Sequence, residues 1–126
     1  MNRYDVLFNE IFAKTKSGQL QWKHIGREEN AALILNAHLV FRQFSAELPR
    51  GRDVFTLLLV EKRHLYNDED FFIERFETYR AELLVVQDGE LVATLGDAVK
   101  LSAMMELARM VETDSDRIRK LFDTQI

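Results

Sequence analysis

Apolar side chains recur every three or four residues at the start of the chain, the spacing that lines one face of a helix. This stripe consists of Tyr4, Leu7, Phe8, Ile11 and Phe12. Ser17-Gly18 follows as a helix stop, since glycine accepts the left-handed conformation that ends many helices. The pattern therefore predicts a helix over about residues 2–16. The alternating stretch after it is expected to bury Leu20 and Trp22.

The middle of the chain alternates between apolar runs and turn residues, as antiparallel strands do. Residues 28–37 fit either a helix or a strand, and we favour a short helix over 28–36. Strands are predicted over 38–47, 53–63 and 76–86, with a turn at 49–52 between the first two. Residues 64–75 fit a solvated loop or a single helical turn. Asp88-Gly89 lies between apolar runs, which predicts a type I′ hairpin and a fourth strand through Leu91 and Val92.

Helical spacing returns near the C-terminus. Asp97 is expected to cap a helix that buries Met104, Ala108 and Val111. A last helix over about 115–123 is expected to turn Ile118, Leu121 and Phe122 inward. Together the elements predict one α+β domain over residues 1–126. Its sheet is an antiparallel meander of about four strands, with the N-terminal and C-terminal helices packed on one face.

Composition narrows the class of protein. The 126 residues are 47% hydrophobic and 30% charged, the balance of an ordinary folded domain. The absence of cysteine excludes disulfides, thiolate zinc sites and cysteine nucleophiles. No apolar run approaches the roughly 20 residues of a membrane span, and no signal-peptide pattern opens the chain. We therefore expect a cytoplasmic protein of bacterial type that does not bind membranes.

Charge is distributed unevenly along the chain. Residues 1–66 contain ten Lys and Arg against seven Asp and Glu, whereas residues 67–126 contain seven against fourteen. The basic excess comes from Arg42, Arg50, Arg52, Lys62 and Arg63. The acidic excess begins with Asp68, Glu69 and Asp70. Such polarity can steer a charged partner, although solvated faces also produce it.

Catalytic and metal-binding motifs are weak. His24, His38 and His64 have none of the spacings that place two imidazoles on one element, and no glycine-rich phosphate loop is present. We predict no cofactor and no metal site. Asp53, Glu61 and Lys62 faintly resemble the metal-binding core of restriction-type nucleases, which suggests a nuclease or hydrolase as an alternative. Glu61 and Lys62 are adjacent, however, so a strand directs them to opposite faces.

Several local motifs resemble a group of short bacterial proteins without an assigned function. The helix ends in Thr15-x-x-Gly18, and Trp22 follows four positions after the glycine. Val40–Phe44, Leu59–Lys62 and the hairpin Asp88–Val92 fit the same pattern. The resemblance implies a small α+β domain and no catalytic residues.

The sequence thus favours a non-enzymatic protein-interaction domain of the immunity, chaperone or adaptor kind. The residues predicted to bind a protein partner are Arg42, Arg50, Arg52, Arg63, Asp68, Glu69 and Asp70. A homodimer is one form of this prediction, with the basic hairpin of one chain facing the acidic segment 68–77 of its copy. We expect only weak nucleic-acid binding through the 42–63 hairpin, because the net charge is −4.

Overall fold

The computed structural model describes residues 2–68, 73–96 and 98–122, and it describes side chains throughout these ranges except at 64–68 and 73–78. Within these ranges the chain forms three helices and five strands, with two short 3₁₀ turns before the second strand. The elements are α1 (Arg3–Lys16), β1 (Lys23–Ile25), 3₁₀ turns at Ala31–Leu33 and Ala37–Leu39, β2 (Val40–Arg50), β3 (Asp53–Asp68), β4 (Ile73–Gln87), β5 (Glu90–Thr94), α2 (Leu101–Thr113) and α3 (Asp116–Phe122).

The strands form one antiparallel sheet in the order β1-β2-β3-β4-β5. This confirms the predicted α+β meander with helices at both ends of the chain. The described sheet has five strands rather than four, because the stretch after Trp22 forms the three-residue edge strand β1. The β4–β5 turn has positive φ at Asp88 (52°) and Gly89 (78°), as a type I′ turn requires.

Helix α1 forms as its apolar spacing predicts. The side chain of Asn2 accepts a hydrogen bond from the amide of Asp5 (3.0 Å) and caps the first turn. Gly18, with a φ of 82°, follows the end of the helix. Phe8 and Ile11 are buried in a core shared with α2 and with one face of the sheet.

The opposite face of the sheet is covered by an irregular segment instead of by helices. Residues 26–39, which we call the cover segment, pack Ile34 against the even-numbered apolar positions of β3 and β4. Asn30 and Asn36 take the left-handed conformation (φ 61° and 55°), and a continuous helix cannot pass through such residues. The predicted helix over 28–36 is therefore wrong, and only 3₁₀ turns form there.

The β3–β4 hairpin is longer than predicted. β2 pairs with β3 only as far as Lys62, whereas the β3–β4 pairing continues to Asp68 and Ile73. The predicted loop or helical turn over 64–75 is thus wrong at 64–68 and 73–75, and residues 69–72 lie outside the described chain. We call the two-stranded extension, residues 63–68 and 73–79, the arm. Its six residues on β3 span about 20 Å.

The C-terminal helices differ from their predictions at their ends. Lys100, rather than Asp97, holds the N-cap position of α2, and Asp97 itself lies outside the described residues. Leu121 and Phe122 were predicted to face inward, but they are 69% and 73% exposed. α3 packs beside the short edge strand β1.

Trp22 anchors the end of α1 to the sheet. It is 2% exposed, and its indole Nε1 donates to Oγ1 of Thr15 (3.0 Å), whose hydroxyl donates to the Ile11 carbonyl (2.8 Å). The predicted burial of Leu20 and Trp22 is confirmed. The indole thereby fills the core and also satisfies its polar atom, as a buried tryptophan must.

We expect Trp22→Ala to lower the free energy of unfolding by about 3–5 kcal/mol, the usual cost of truncating a large buried aromatic side chain. Urea unfolding followed by circular dichroism measures this, with Val54→Ala, at a half-exposed position of β3, as the control. A native emission spectrum typical of a water-exposed indole in the unmodified protein would contradict the assignment.

Candidate functional site

The predicted basic residues occupy two separate ends of the sheet. Arg50 pairs with Asp53 beside the β2–β3 turn, whereas Arg42 pairs with Glu61 near the start of the arm. Eight residues of strand separate the two positions, which corresponds to about 27 Å. Arg63 lies at the arm end and Arg52 in the turn. These arginines therefore do not form one continuous basic surface.

At the turn end, Arg50 is bound within its own chain. Its guanidinium contacts both carboxylate oxygens of Glu10 on α1, at 2.5 and 2.7 Å. The hydrogen bond from Arg50 lowers the pKa of Glu10 below its ordinary value. Arg52 is exposed, as predicted, and Arg50 is exposed as well as paired. Arg50 thus joins the β2–β3 hairpin to α1.

At the arm end, Arg42 bridges the sheet and α2. Its guanidinium contacts the carboxylates of Glu61 on β3 and Glu112 on α2, and it lies over the ring of Phe44 (5.7 Å to the centroid). Glu61 is 5% exposed, and burial raises its pKa, while the hydrogen bond and charge of Arg42 oppose that rise. The buried carboxylate of Glu61, paired with Arg42, therefore lies two residues before the start of the arm at Arg63.

Next to this pair, two aromatic rings and two arginines form a cluster of mutual contacts. The guanidinium of Arg63 lies 5.2 Å from the ring centroid of Phe41 and 5.7 Å from that of Tyr79. Arg42 lies 5.4 Å from the same Phe41 ring, and the Phe41 and Tyr79 rings meet edge to face at 5.4 Å. We call Phe41, Arg63 and Tyr79 the arm-base stack. Its Phe41 ring contacts both Arg42 and Arg63, two of the four predicted arginines.

The stack includes two residues that sequence reasoning missed. Phe41 lies where the β2–β3 register shifts between Val40 and Arg42, and no local sequence signal marks that shift. Tyr79 pairs with Arg63 across the hairpin, a relation that only the register reveals. Of the predicted acidic residues, Asp68 ends β3 opposite Ile73, and Glu69 and Asp70 lie outside the described chain.

The alternative catalytic set is not brought together. Asp53 lies at the turn end, where its carboxylate accepts a hydrogen bond from Gln87 (3.2 Å), eight residues from Glu61. Lys62 points to the face opposite Glu61, where it is 2% exposed and contacts Glu82 (2.9 Å) and the Leu35 carbonyl. Among the described residues, no three His, Asp or Glu side chains form a metal-binding group.

Comparison of the chain with protein-family models, curated proteins and solved structures gave no match. The resemblance to short bacterial proteins through Gly18 and Trp22 therefore stays a prediction. In the part of the chain that the structure describes, no helix has the length and apolar character to cross a membrane. The site must be interpreted from its own geometry.

The ion pair of Arg42 and the buried Glu61 predicts that the free energy of unfolding depends on pH. The pKa of Glu61 is higher in the folded chain than in the unfolded chain, so the free energy of unfolding falls as pH rises through that range. Replacing Arg42 removes the positive charge that lowers the pKa of Glu61, so that pKa rises further. We expect Arg42→Met to cost about 3 kcal/mol at pH 8, near the lower end for breaking a buried pair, and clearly less at pH 5.

Urea unfolding at several pH values measures the effect. Adding Glu61→Gln to Arg42→Met is expected to recover part of the loss at pH 8, because no carboxylate then remains buried without a partner. Arg109→Met, at an exposed position of α2, serves as the control. A loss that is identical at pH 5 and pH 8 would show that Glu61 does not contribute through its charge.

Proposed function

We propose that this chain is a non-enzymatic interaction domain that binds a protein partner through the arm and the arm-base stack. The supporting observation is that β3 and β4 remain paired for about 20 Å beyond the last residue paired with β2. A two-stranded ribbon is only marginally stable by itself in water. The arm therefore extends the β3–β4 hairpin beyond the part of the sheet that β2 completes, and binding a partner is its most direct use.

The arm also has backbone groups suited to recognition. In the described sheet, β3 has no second neighbouring strand after Lys62, and β4 has none before Leu84. Strand edges of this kind pair with an extended segment of another chain, through main-chain hydrogen bonds. The arm thus offers two edges to which a strand of the partner can add.

The arm-base stack provides side chains of the type that dominate protein interfaces. Arginine, tyrosine and phenylalanine are enriched there, and Tyr79 is 46% exposed. The rings of Phe41 and Tyr79 both contact the guanidinium of Arg63 and restrict its movement, which reduces the entropy lost when it binds. A planar guanidinium held in this way fits a carboxylate. The partner surface that we propose therefore combines an acidic side chain with an extended strand.

The enzyme alternative receives no comparable support. Asp53 lies about 27 Å along the strand from Glu61, and Lys62 lies on the other face of the sheet. Neither acid can share a metal ion or a water molecule with the lysine in this geometry. We therefore do not propose a nuclease or hydrolase built on these three residues.

Site-specific photo-cross-linking tests the interaction surface. We expect a benzophenone amino acid at Tyr79 to give a discrete protein adduct in the cells that express the chain. Val54 is the matched control, because it is 50% exposed, lies on a strand, and sits at the opposite end of the sheet. Adding Arg63→Glu is expected to weaken the Tyr79 adduct, since the partner's carboxylate would then be repelled.

Two outcomes would contradict the proposal. One is the absence of any adduct from Tyr79, and the other is the same set of adducts from Tyr79 and Val54. Circular dichroism of the Arg63→Glu variant provides the folding check. The mass of the adduct reports whether the partner is a second copy or a different protein.

Nucleic acid is not the partner that we expect. The chain has a net charge of −4, and Arg42 is already paired with two glutamates. Arg50 is paired with Glu10 as well, so the 42–63 hairpin offers few contacts to phosphates, and we expect a Kd of about 10⁻⁶ M or weaker at physiological salt. Fluorescence anisotropy with a labelled duplex and a labelled single strand measures this. Nanomolar binding with a steep salt dependence would overturn the expectation.

A further inference from the structure

The two edge strands of the described sheet differ in what lies beside them. At β1, the amide of His24 donates to the carboxylate of Asp116 on α3 (2.8 Å), so α3 occupies that edge. Among the described residues, β5 pairs with β4 alone, and its residues are exposed apart from the half-buried Ala93. One edge of the sheet is therefore closed by a helix, and the other is open.

The open edge presents main-chain groups in a defined direction. The amide of Leu95, which follows β5, donates to the Leu83 carbonyl of β4 (2.9 Å) and so points inward. Successive residues of a strand direct their main-chain groups to opposite sides, so the amide and carbonyl of Thr94 point away from β4. Thr94 is exposed, and an extended strand that lies along β5 can bind both groups.

β5 lacks the side chains that usually protect an edge strand. Natural sheets often carry lysine or proline at their edges, which discourages pairing with another chain. β5 reads Glu-Leu-Val-Ala-Thr, so its single charge stands at its first residue. Leu91 and Val92 are 43% and 54% exposed. An uncharged edge with exposed apolar side chains favours a strand of similar composition as its neighbour.

A cleft lies beside this edge, on the face of the sheet that the cover segment occupies. Its volume is about 220 Å³, and its apolar lining consists of Leu33 and Leu35 of the cover segment, Leu84 of β4 and Leu91 of β5. Thr94 also lines it. Leu35 is 79% exposed at its rim. A strand added to β5 would therefore have a place for an apolar side chain beside the main-chain pairing.

The bulge in β5 places Leu91 and Thr94 on one face. They pair with Val86 and Leu84, which both face the cover segment, and the register passes over Val92 between them. Residues directly opposite each other in an antiparallel pair share a face. Two copies of β5 aligned over Leu91–Thr94 therefore place Leu91 of each chain opposite Thr94 of the other, beside the cleft.

We propose that two copies of this chain pair through β5 as antiparallel strands about a two-fold axis, which joins their sheets into one. Antiparallel alignment sets the two Glu90 carboxylates at opposite ends of the paired strands, so no like charges face each other. Leu91 of each copy covers the cleft of the other. The contact uses the same surface on both chains and closes at two, without leaving an open edge for a third.

This inference goes beyond the proposed function and does not depend on it. β5 lies beside residues 84–87 of β4, whereas the arm ends at Tyr79. A dimer formed through β5 leaves the arm of each chain available to a partner. Cross-linking from Tyr79 therefore tests the proposed function separately.

Charge exchange at the paired positions tests the contact. Sedimentation velocity is expected to show the unmodified protein at twice the 14.8 kDa mass of one chain. Leu91→Lys with Thr94→Lys, or Leu91→Glu with Thr94→Glu, is expected to weaken dimerisation about a hundredfold, because like charges then lie opposite each other. An equimolar mixture of the two variants is expected to form a mixed dimer, because each lysine then lies opposite a glutamate.

Amide hydrogen exchange followed by NMR locates the interface. The Thr94 amide is expected to be protected in the unmodified protein and to lose that protection in the lysine variant. The Leu95 amide is the internal reference, because it donates to the Leu83 carbonyl with or without a second copy. It is expected to stay protected in both proteins.

Ala13→Lys with Val54→Lys is the matched control, since it adds the same charge at exposed positions of α1 and β3, and it is expected to leave the dimer intact. The proposal is overturned by a monomeric unmodified protein, by charge variants that still dimerise, or by a mixture that stays monomeric. A dimer whose Thr94 amide exchanges freely would also overturn it, because the contact would then lie elsewhere. Circular dichroism confirms that each variant is folded.

Discussion

The structure depends on the burial of β3 on both of its faces. The six residues from Leu57 to Lys62 are all buried, which an ordinary strand with one solvated face does not show. Each face therefore needs its own cover. α1 and α2 supply it on one side, and the cover segment 26–39 supplies it on the other. The architecture of three layers follows from this single strand.

Two charged residues mark where that burial ends. Glu61 and Lys62 end the buried run that begins at Leu57, since Arg63 is exposed, and each has a partner on its own face. Arg42 neutralises Glu61 on the helix side, whereas Glu82 and the Leu35 carbonyl hold Lys62 on the other. A buried charge without such a partner would cost several kcal/mol. The two ion pairs thus stand at adjacent residues at the end of the buried run of β3, one on each face of the sheet. The arm begins one residue later at Arg63.

The sequence predicted what local chemistry determines. α1 followed from its apolar spacing, and the type I′ turn from Asp88-Gly89, because neither depends on distant residues. The cover segment was missed because a buried side chain from another element holds it, with the Gln43 amide donating to the carbonyls of Arg27 and Glu29. Its turns at Asn30 and Asn36 depend on that tertiary contact as much as on the local sequence.

The same distinction applies to the candidate site. Alternation along a strand was enough to predict that Glu61 and Lys62 diverge. Grouping Arg42, Arg50, Arg52 and Arg63 on one surface required knowledge of strand length, and the register places them at two ends. The acidic residues 64–75 favoured a loop by composition, yet their backbone extends the hairpin at 64–68 and 73–75. Composition alone therefore did not reveal that these residues pair as strands.

The net charge of each half of the chain does not show how charge is distributed within the C-terminal half. Residues 67–126 are acidic as a whole, yet α3 within them has three cations against the single acid Asp116. Asp68 lies in the same half, but it is nine residues, or about 30 Å, along β3 from the position that aligns with His24 beside α3. At that separation the two charges are screened from each other in physiological salt. Opposite charges that a fold keeps this far apart contribute little to its stability.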